Sequence, residues 1–492
     1  MTAVAQTSEK ASTSGPAAPG PTGSGLYPRR WLAAVVMMLA VMMDLIDVTI
    51  VNVALPTIRR DLAASATQLE WVVSAYMLAF AAVLIPAGSF GDAVGRRRLF
   101  LGGIAVFGLA SLGAGLAQTP GELIAARVVQ GAAAAAMTPQ LLGTFRVMFS
   151  GRERGQAFGL YGAVLGFASA IGLLLGGALT EANLFGWHWR TVFLVNVPIA
   201  LFSLIAAARL VPETREASAR RPDRAGAVLL GASLVAIVYP LLEGRRLGWP
   251  VWGWALLAAG LLGIVAIAMR EARRRCPDIA PLLRPQLFKV PAFAAGMGVQ
   301  LAFAAGLQGL FLTFSVWVQA GQHYSPLRAG LTTVAFSVGS FTLAGMAIPL
   351  AQRYGRLVLA CGAVLLAIGV VGVDIGAHHV GTSTDPWPMV PGLAIAGAGL
   401  SLLIIPLVNV VLVAVPARGA AGASGVFNTA QQLGGAIGVA ALGTIFFGHA
   451  ESHSFSAAFT HTLPYVAVAF LLAAALALVL PKTAVAEEHA EP

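Results

Sequence analysis

Two acidic residues lie within the first long apolar segment of the chain. Asp44 and Asp47 are three positions apart, so they share one face if this segment is a helix. An ionised carboxylate in the middle of a bilayer costs about 2.5–3.5 kcal/mol on insertion scales. Burial therefore favours the neutral, protonated form, and two neighbouring acids titrate as a coupled pair. This pattern predicts a pair of groups that take up and release protons.

One basic residue, Arg127, also lies inside an apolar segment. At 1.5 Å per helical residue it lies about 8 Å from one end of its segment, and Asp47 lies about 12 Å from the same side. These depths are compatible with an ion pair or a water bridge, and a purely structural pair is the alternative. We hypothesise that Asp47, assisted by Asp44, exchanges a proton while Arg127 tunes its proton affinity.

The composition defines the elements that must hold these residues. Of 492 residues, 58% are hydrophobic and 11% are charged, whereas soluble proteins carry roughly 25% charged residues. This excludes a soluble enzyme and a disordered chain. A membrane-spanning helix needs about 20 apolar residues, which predicts an all-α polytopic membrane protein with fourteen transmembrane segments, at about 31–54, 71–90, 99–117, 122–143, 157–179, 191–211, 226–243, 251–269, 292–318, 329–350, 357–375, 389–413, 424–447 and 462–480.

The basic residues predict the orientation. Most of the 31 Lys and Arg residues fall in alternate connections, which become cytoplasmic if the N-terminus is cytoplasmic. Both termini are then expected on the cytoplasmic side. Because membrane topology accounts for the formal charge of +10, we expect the lipid bilayer as partner and no nucleic acid.

The first and last thirds of the chain are similar. Gly-Arg at 95–96 recurs at 355–356, and Ala-Ile-Gly at 170–172 recurs at 436–438. Two six-helix halves around a central site are typical of transporters that work by alternating access. The predicted organisation is a disordered N-terminus (1–28), a six-helix bundle (29–211), two inserted helices with basic loops (212–290), a second six-helix bundle (291–481) and a short tail (482–492).

The connection after the second segment has a characteristic spacing. It contains Gly88, Asp92, Gly95, Arg96 and Arg98, and it resembles the G-x-x-x-D-x-x-G-[RK]-x-[RK] loop of the major facilitator superfamily. A glycine permits the tight turn, and the carboxylate can hold an arginine or a helix N-terminus. We interpret the loop as a cytoplasmic latch, and the alternative is a basic turn that only sets topology.

The end of the first segment, residues 47–56, reads D-V-T-I-V-N-V-A-L-P. It resembles the signature of the fourteen-span drug:H⁺ antiporter family of that superfamily, as do 71–76 and 189–198. The resemblance implies a monomeric exporter of small amphipathic molecules in a bacterial cytoplasmic membrane. It would use the proton-motive force and no cofactor.

Two further family patterns are similar in segments 4 and 5. Arg127, Gln130 and Gly131 resemble the R-x-x-Q-G motif associated with proton transfer. Segment 5 resembles an antiporter glycine pattern, although Ala168 and Leu173 replace a glycine and its proline. This departure leaves transport without antiport, or altered coupling, open. The glycines that remain are Gly159, Gly172, Gly176 and Gly177.

Polar and aromatic residues of the first, ninth and thirteenth segments are candidates for the substrate pocket. Amides within a span also join helices, and phenylalanines also face lipid. The candidates are Asn52, Gln300, Phe303, Gln308, Phe311, Asn428 and Gln432.

Other functional classes lack their residues. The sequence has no phosphate-binding G-x₄-G-K-[ST] loop and no cluster of acids, histidines and a nucleophile. Two cysteines and scattered histidines predict no metal site. We therefore expect a secondary transporter and no enzyme: a proton-coupled exporter, with a solute:H⁺ symporter or a narrow exporter of an endogenous metabolite as alternatives.

Overall fold

The computed structural model describes residues 27–214, 223–244, 247–273, 285–380, 385–413 and 420–480. Within these ranges the chain consists of helices and connecting turns. The N-terminus that was predicted to be disordered lies outside these ranges, apart from residues 27 and 28. The predicted tail also lies outside them. An all-α architecture is therefore confirmed for the part that is described.

Each predicted apolar segment contains a long helix. The sixth is composite, because a 3-10 turn opens it and Val195 interrupts it. In the described ranges the helices are α1 (Arg30–Asp61), α2 (Ala66–Val94), α3 (Arg96–Leu116), α4 (Pro120–Met148), α5 (Gly151–Ala182), α6 (His188–Leu210), α7 (Arg224–Glu243), α8 (Val251–Arg273), α9 (Pro291–Val316), α10 (Pro326–Tyr354), α11 (Arg356–Val380), α12 (Val390–Val413), α13 (Ala420–Ala450) and α14 (Phe455–Ala477).

Among the described residues, twelve helices are long and apolar enough to cross a membrane. The protein is thus a multi-pass membrane protein. The remaining two, α4 and α5, have 29 and 32 residues but do not belong to the twelve. The predicted count of fourteen spans stays a prediction.

Hydroxyl side chains begin several helices. Ser65 accepts a hydrogen bond from the backbone of Gln68 at 3.2 Å, and the Gln68 side chain accepts one from the Ser65 N–H at 2.9 Å. This reciprocal cap satisfies two backbone donors that the first turn of α2 leaves without helical partners. Thr119, Ser325 and Ser454 cap α4, α10 and α14 through single bonds of the same kind.

The helices form two bundles with an inserted pair beside them. Helices α1–α6 make the first bundle and α9–α14 the second, and they meet along a seam where α2 packs on α13 and α5 on α10. Small residues allow this approach: a Cβ atom at Gly177 of α5 would lie 2.6 Å from the Pro326 carbonyl oxygen of α10. Helix α7 packs on both α2 and α13, and α8 packs on α7.

Each bundle has a matching turn at one end. Gly95 after α2 and Gly355 after α10 have φ of +120° and +58°, respectively. Each N–H donates to the carbonyl four residues earlier, at 2.9 and 2.8 Å. Glycine adopts positive φ without steric cost, which explains its recurrence there. We call this side of the molecule the Gly95 end, and the opposite side, where α1 ends, the Asp61 end.

Candidate functional site

A buried ion pair lies at the centre of the first bundle. Arg127 of α4 donates through Nη1 to Oδ2 of Asp47 on α1. The two residues are 1% and 0% exposed. The Arg127 Nε also donates to the Val72 carbonyl of α2 at 3.1 Å. The charges are therefore paired and additionally hydrogen-bonded, as a buried pair requires, and the structure brings together the two residues whose depths suggested a contact.

The second oxygen of Asp47 has amide partners. Asn196 of α6 donates to Oδ1 at 2.8 Å, and Gln130 of α4 donates to it at 3.3 Å. Gln130 also accepts from Arg127 at 3.0 Å and donates to Ser111 of α3 at 2.8 Å. Donors from α4 and α6 thus converge on one carboxylate.

Tyr76 of α2 connects the two acids. Its hydroxyl donates to Oδ1 of Asp44, and its ring lies 4.2 Å from the guanidinium carbon of Arg127. Arg127 in turn holds Asp47. A continuous chain of contacts through Tyr76 and Arg127 therefore joins Asp44 to Asp47. A cation over an aromatic face is attracted by the ring quadrupole, and more strongly where water is excluded.

The first bundle alone encloses this cluster. The described partners of Asp44 and Asp47 lie on α2, α4 and α6, and both acids are buried. Both are therefore away from bulk water. In the described part of α9–α14, no Asp, Glu, Lys or Arg is buried. Chemistry that depends on buried charge therefore lies outside the described part of the second bundle.

Close backbone packing keeps the cluster assembled. A Cβ atom at Gly131, four residues after Arg127, would overlap the Tyr76 carbonyl oxygen, so α4 and α2 touch there. On α5, Cβ atoms at Gly172 and Gly176 would lie 3.1 and 3.0 Å from backbone carbonyls of α1. These glycines act as packing positions beside Asp47, while Gly177 faces α10. Gly159 lies in α5, and its surroundings are outside what the structure describes.

The latch motif forms a network at the Gly95 end. Asp92 and Arg96 form an ion pair at 2.8 Å, and Arg96 donates to the Gly143 carbonyl of α4 at 3.1 Å. Arg98 lies 3.7 Å from Glu213, which follows α6. The Arg96 N–H donates to the backbone of Thr214 at 3.0 Å. Asp92 therefore holds an arginine, and the motif ties α2, α3, α4 and the segment after α6 together.

Further residues complete that end. A Cβ atom at Gly88 would lie in ordinary contact, 3.8 Å from Pro139 of α4. The Arg97 N–H donates to Glu213 at 3.2 Å. Neither Arg97 nor Glu213 was among the sequence-derived candidates. An acid shortly after α6 could have suggested a partner for three consecutive arginines.

Several substrate candidates lie at the seam. Asn52 and Phe311 line one small cavity with residues of α9 and α10. The Phe311 ring packs edge-on against Phe336 of α10 at 5.2 Å. Gln308 reaches the Met77 sulfur of α2 across the seam at 3.9 Å. A space between the bundles thus has amide and aromatic walls.

The other candidates are divided. Asn428 and Gln432 lie half-buried on α13, the helix that packs on α2. Gln300 and Phe303 are buried within the second bundle, where Phe303 packs on Phe470 of α14 at 6.5 Å. That Gln300 and Phe303 line the pocket stays a prediction, because helical spacing alone does not distinguish a seam face from a bundle interior.

Three residues of the buried cluster were not expected to take part in it: Tyr76, Ser111 and Asn196. Asn196 offered a signal, since an amide inside an apolar segment needs a partner. Ser111 and Tyr76 offered little, because a hydroxyl can bond to its own helix or to water.

The chain is similar to known proteins in both sequence and fold. The family model "Major Facilitator Superfamily" matches residues 37–439. The "Probable actinorhodin transporter" of Streptomyces coelicolor is 38% identical over 87% of this chain and 75% of its own length. The "Puromycin resistance protein pur8" of Streptomyces alboniger is 37% identical over 86% and 83%. A solved structure of a POT family transporter with 5-aminolevulinic acid superposes with a TM-score of 0.65, at 13% identity, over 92% of this chain and 96% of that chain.

Proposed function

The chain belongs to the major facilitator superfamily, and we propose that it exports small amphipathic molecules in exchange for protons, by alternating access. Its relatives are named as antibiotic transporters and resistance proteins, which places it among transporters rather than enzymes. The observation that carries the proton coupling is the buried pair of Asp47 and Arg127, with Asp44 joined to it through Tyr76.

The proposed topology has fourteen spans with both termini in the cytoplasm. Helices α4 and α5 have ample length for a crossing. If both cross, the Gly95 end carries the arginine-rich connection, as the positive-inside rule favours. The Gly95 end is then cytoplasmic and the Asp61 end external. A monomer in a bacterial cytoplasmic membrane, driven by the proton gradient without a cofactor, suffices for this cycle.

The proposed coupling acts through α1. Protonation of Asp47 removes the charge that holds Arg127, so the contacts between α1 and α4 change strength with proton occupancy. Asn52, on the same helix, lines the cavity at the seam. Substrate and proton therefore occupy separate places, and α1 connects them. Exchange then follows from two linked equilibria rather than from competition for one carboxylate.

Everted vesicles test the function. In them the Gly95 end faces the medium and respiration acidifies the lumen. Adding a transported compound from a panel of dyes and antibiotics is expected to release lumenal protons, measured with a pH-sensitive dye. Proton release only when the compound is loaded inside the lumen would indicate the symporter instead. Resistance profiles of deletion and overexpression strains identify which compounds to add, and resistance without proton release would contradict antiport.

Tyr76→Phe is expected to slow substrate-induced proton release about tenfold, since a hydrogen bond to a charged group contributes roughly 1.5 kcal/mol. The substitution keeps the ring beneath Arg127 and removes only the hydroxyl that donates to Asp44. The measurement is the initial rate in everted vesicles at equal protein level. Tyr465→Phe, at an exposed position of α14, is the control. Equal rates for both variants would show that the bond to Asp44 has no part in coupling.

A further inference from the structure

At the Asp61 end, two side chains of the second bundle bind the main chain of the first. Ser315 of α9 donates to the carbonyl of Asn52. Gln319 donates through Nε2 to the carbonyl of Val53 at 2.8 Å and to the Ser315 hydroxyl at 3.1 Å. Both side chains are buried. These bonds cross the seam and join α9 to α1.

The Asn52 carbonyl is available because of a proline. In an uninterrupted helix, this carbonyl would accept from the N–H of residue 56. Residue 56 is Pro56, which lies inside α1 and has no N–H. The carbonyl would be left without its helical donor in a buried place, at a cost comparable to a lost hydrogen bond. Ser315 supplies the missing donor from the other bundle.

The partner surface on α9 is held firmly in its own bundle. A π-helical turn, Trp317–Gly321, follows α9 and contains Gln319. Trp317 stacks on Phe459 of α14 at 4.2 Å, and its Nε1 donates to Ser456 at 3.1 Å. A π-turn is a local departure from α-helical geometry that recurs at functional sites. The contacts of Trp317 thus fix the turn that places Gln319 against α1.

A second cross-seam contact lies at the same end. Glu181 of α5 accepts a hydrogen bond from the Leu327 N–H in the first turn of α10, at 3.1 Å. Gly177, one turn earlier on α5, packs against the Pro326 backbone. At the Asp61 end, α9 is therefore bonded to α1 and α10 to α5, and the seam is closed there.

We propose that Pro56 is a docking device for an external gate: it leaves the Asn52 carbonyl as the acceptor that Ser315 uses, beside the Gln319 bond to the Val53 carbonyl, to keep the Asp61 end closed. This rests on the proposed alternating access, because release at this end requires the bonds to break. Ser315, Gln319 and Pro56 act as positioning residues, since they set the balance between closed and open states without touching the proton cluster.

The test measures access to the cavity beneath the gate. Ala329 of α10 is buried and lines that cavity with Asn52 and Ser315. An Ala329→Cys reporter is placed in a chain carrying Cys276→Ser and Cys361→Ser. Intact cells, de-energised and without substrate, are treated with a membrane-impermeant maleimide. A permeant maleimide after denaturation gives the total amount of reporter.

Pro56→Ala restores an N–H that competes for the Asn52 carbonyl, and Ser315→Ala removes the external donor. Each is expected to raise the labelling rate roughly fivefold, from the loss of about 1 kcal/mol for one hydrogen bond. The double variant is expected to label no faster than either single variant, because both changes remove the same bond. Thr313→Val is the matched control, since the Thr313 hydroxyl donates to carbonyls of its own helix at 2.9 and 3.2 Å.

The proposal is overturned if Pro56→Ala labels at the parent rate, or if the effects of Pro56→Ala and Ser315→Ala multiply in the double variant. Alanine is a better helix former than proline, so Pro56→Ala is expected to fold. A faster labelling rate of this variant therefore does not come from lost packing. The outcome is independent of proton coupling, because the cells are de-energised. If the labelling rates change as expected but proton release is absent, the proposed antiport is overturned and the gate proposal stands.

Discussion

Replacing Asp47 by asparagine is expected to abolish substrate-induced proton release in everted vesicles. The amide cannot exchange a proton, and it leaves the Arg127 guanidinium buried without a counter-ion. Breaking such a pair costs about 3–5 kcal/mol, so the variant is also expected to have a lower melting temperature in detergent. Full proton-driven export by Asp47→Asn would show that proton coupling lies elsewhere.

A double variant separates stability from function. Asp47→Asn combined with Arg127→Met removes both charges, and replacing a buried pair by neutral residues of similar volume is often neutral or stabilising. We expect its melting temperature to return towards that of the parent while proton release stays absent. If proton release returned as well, the pair would have a structural role only.

Gly131→Ala is expected to have the second largest effect. The added methyl group would overlap the Tyr76 carbonyl, which forces α4 away from α2. Overpacking of this kind costs about 1–3 kcal/mol. Because Arg127 lies one turn away on the same helix, the shift also lengthens its bonds to Asp47 and Val72. Both the melting temperature and the rate of proton release should therefore fall.

The control for Gly131→Ala is another helical glycine. A Cβ atom at Gly113 of α3 would meet no atom within 4 Å, so Gly113→Ala tests the same chemical change in open space. It is expected to be neutral or slightly stabilising, since alanine favours the helix by about 1 kcal/mol over glycine. Equal losses in the two variants would contradict the packing argument.

The fold was largely predictable because hydropathy reports which segments leave water, whether for lipid or for the protein interior. Each of the fourteen apolar segments contains a helix, but the ends differ. The first segment was expected at 31–54, whereas α1 runs to Asp61. A helix continues through polar residues beyond the apolar part, and the next helix begins only where Ser65 provides a cap. Apolarity identifies the helix, while capping and turns determine its length.

The site was predictable where charge was involved. A charge inside an apolar segment has few ways to be satisfied, and the depths of Asp47 and Arg127 predicted an ion pair or a water bridge between them. The positions of Gln300 and Phe303 could not be predicted. Their spacing fits a helical face, but which face meets the seam depends on packing between helices distant in sequence.

The buried ion pair lies in the first bundle, whereas the candidate substrate positions on α9 and α13 lie in the second. The candidate substrate positions on α9 and α13 can change size or polarity without altering any hydrogen-bond partner of Asp47, because those partners lie on α4 and α6. The proposed proton-coupling cluster can thus be kept while the opposite wall changes for another chemical scaffold. Changes in substrate specificity are therefore expected in the second bundle, which contains no buried ion pair among its described residues.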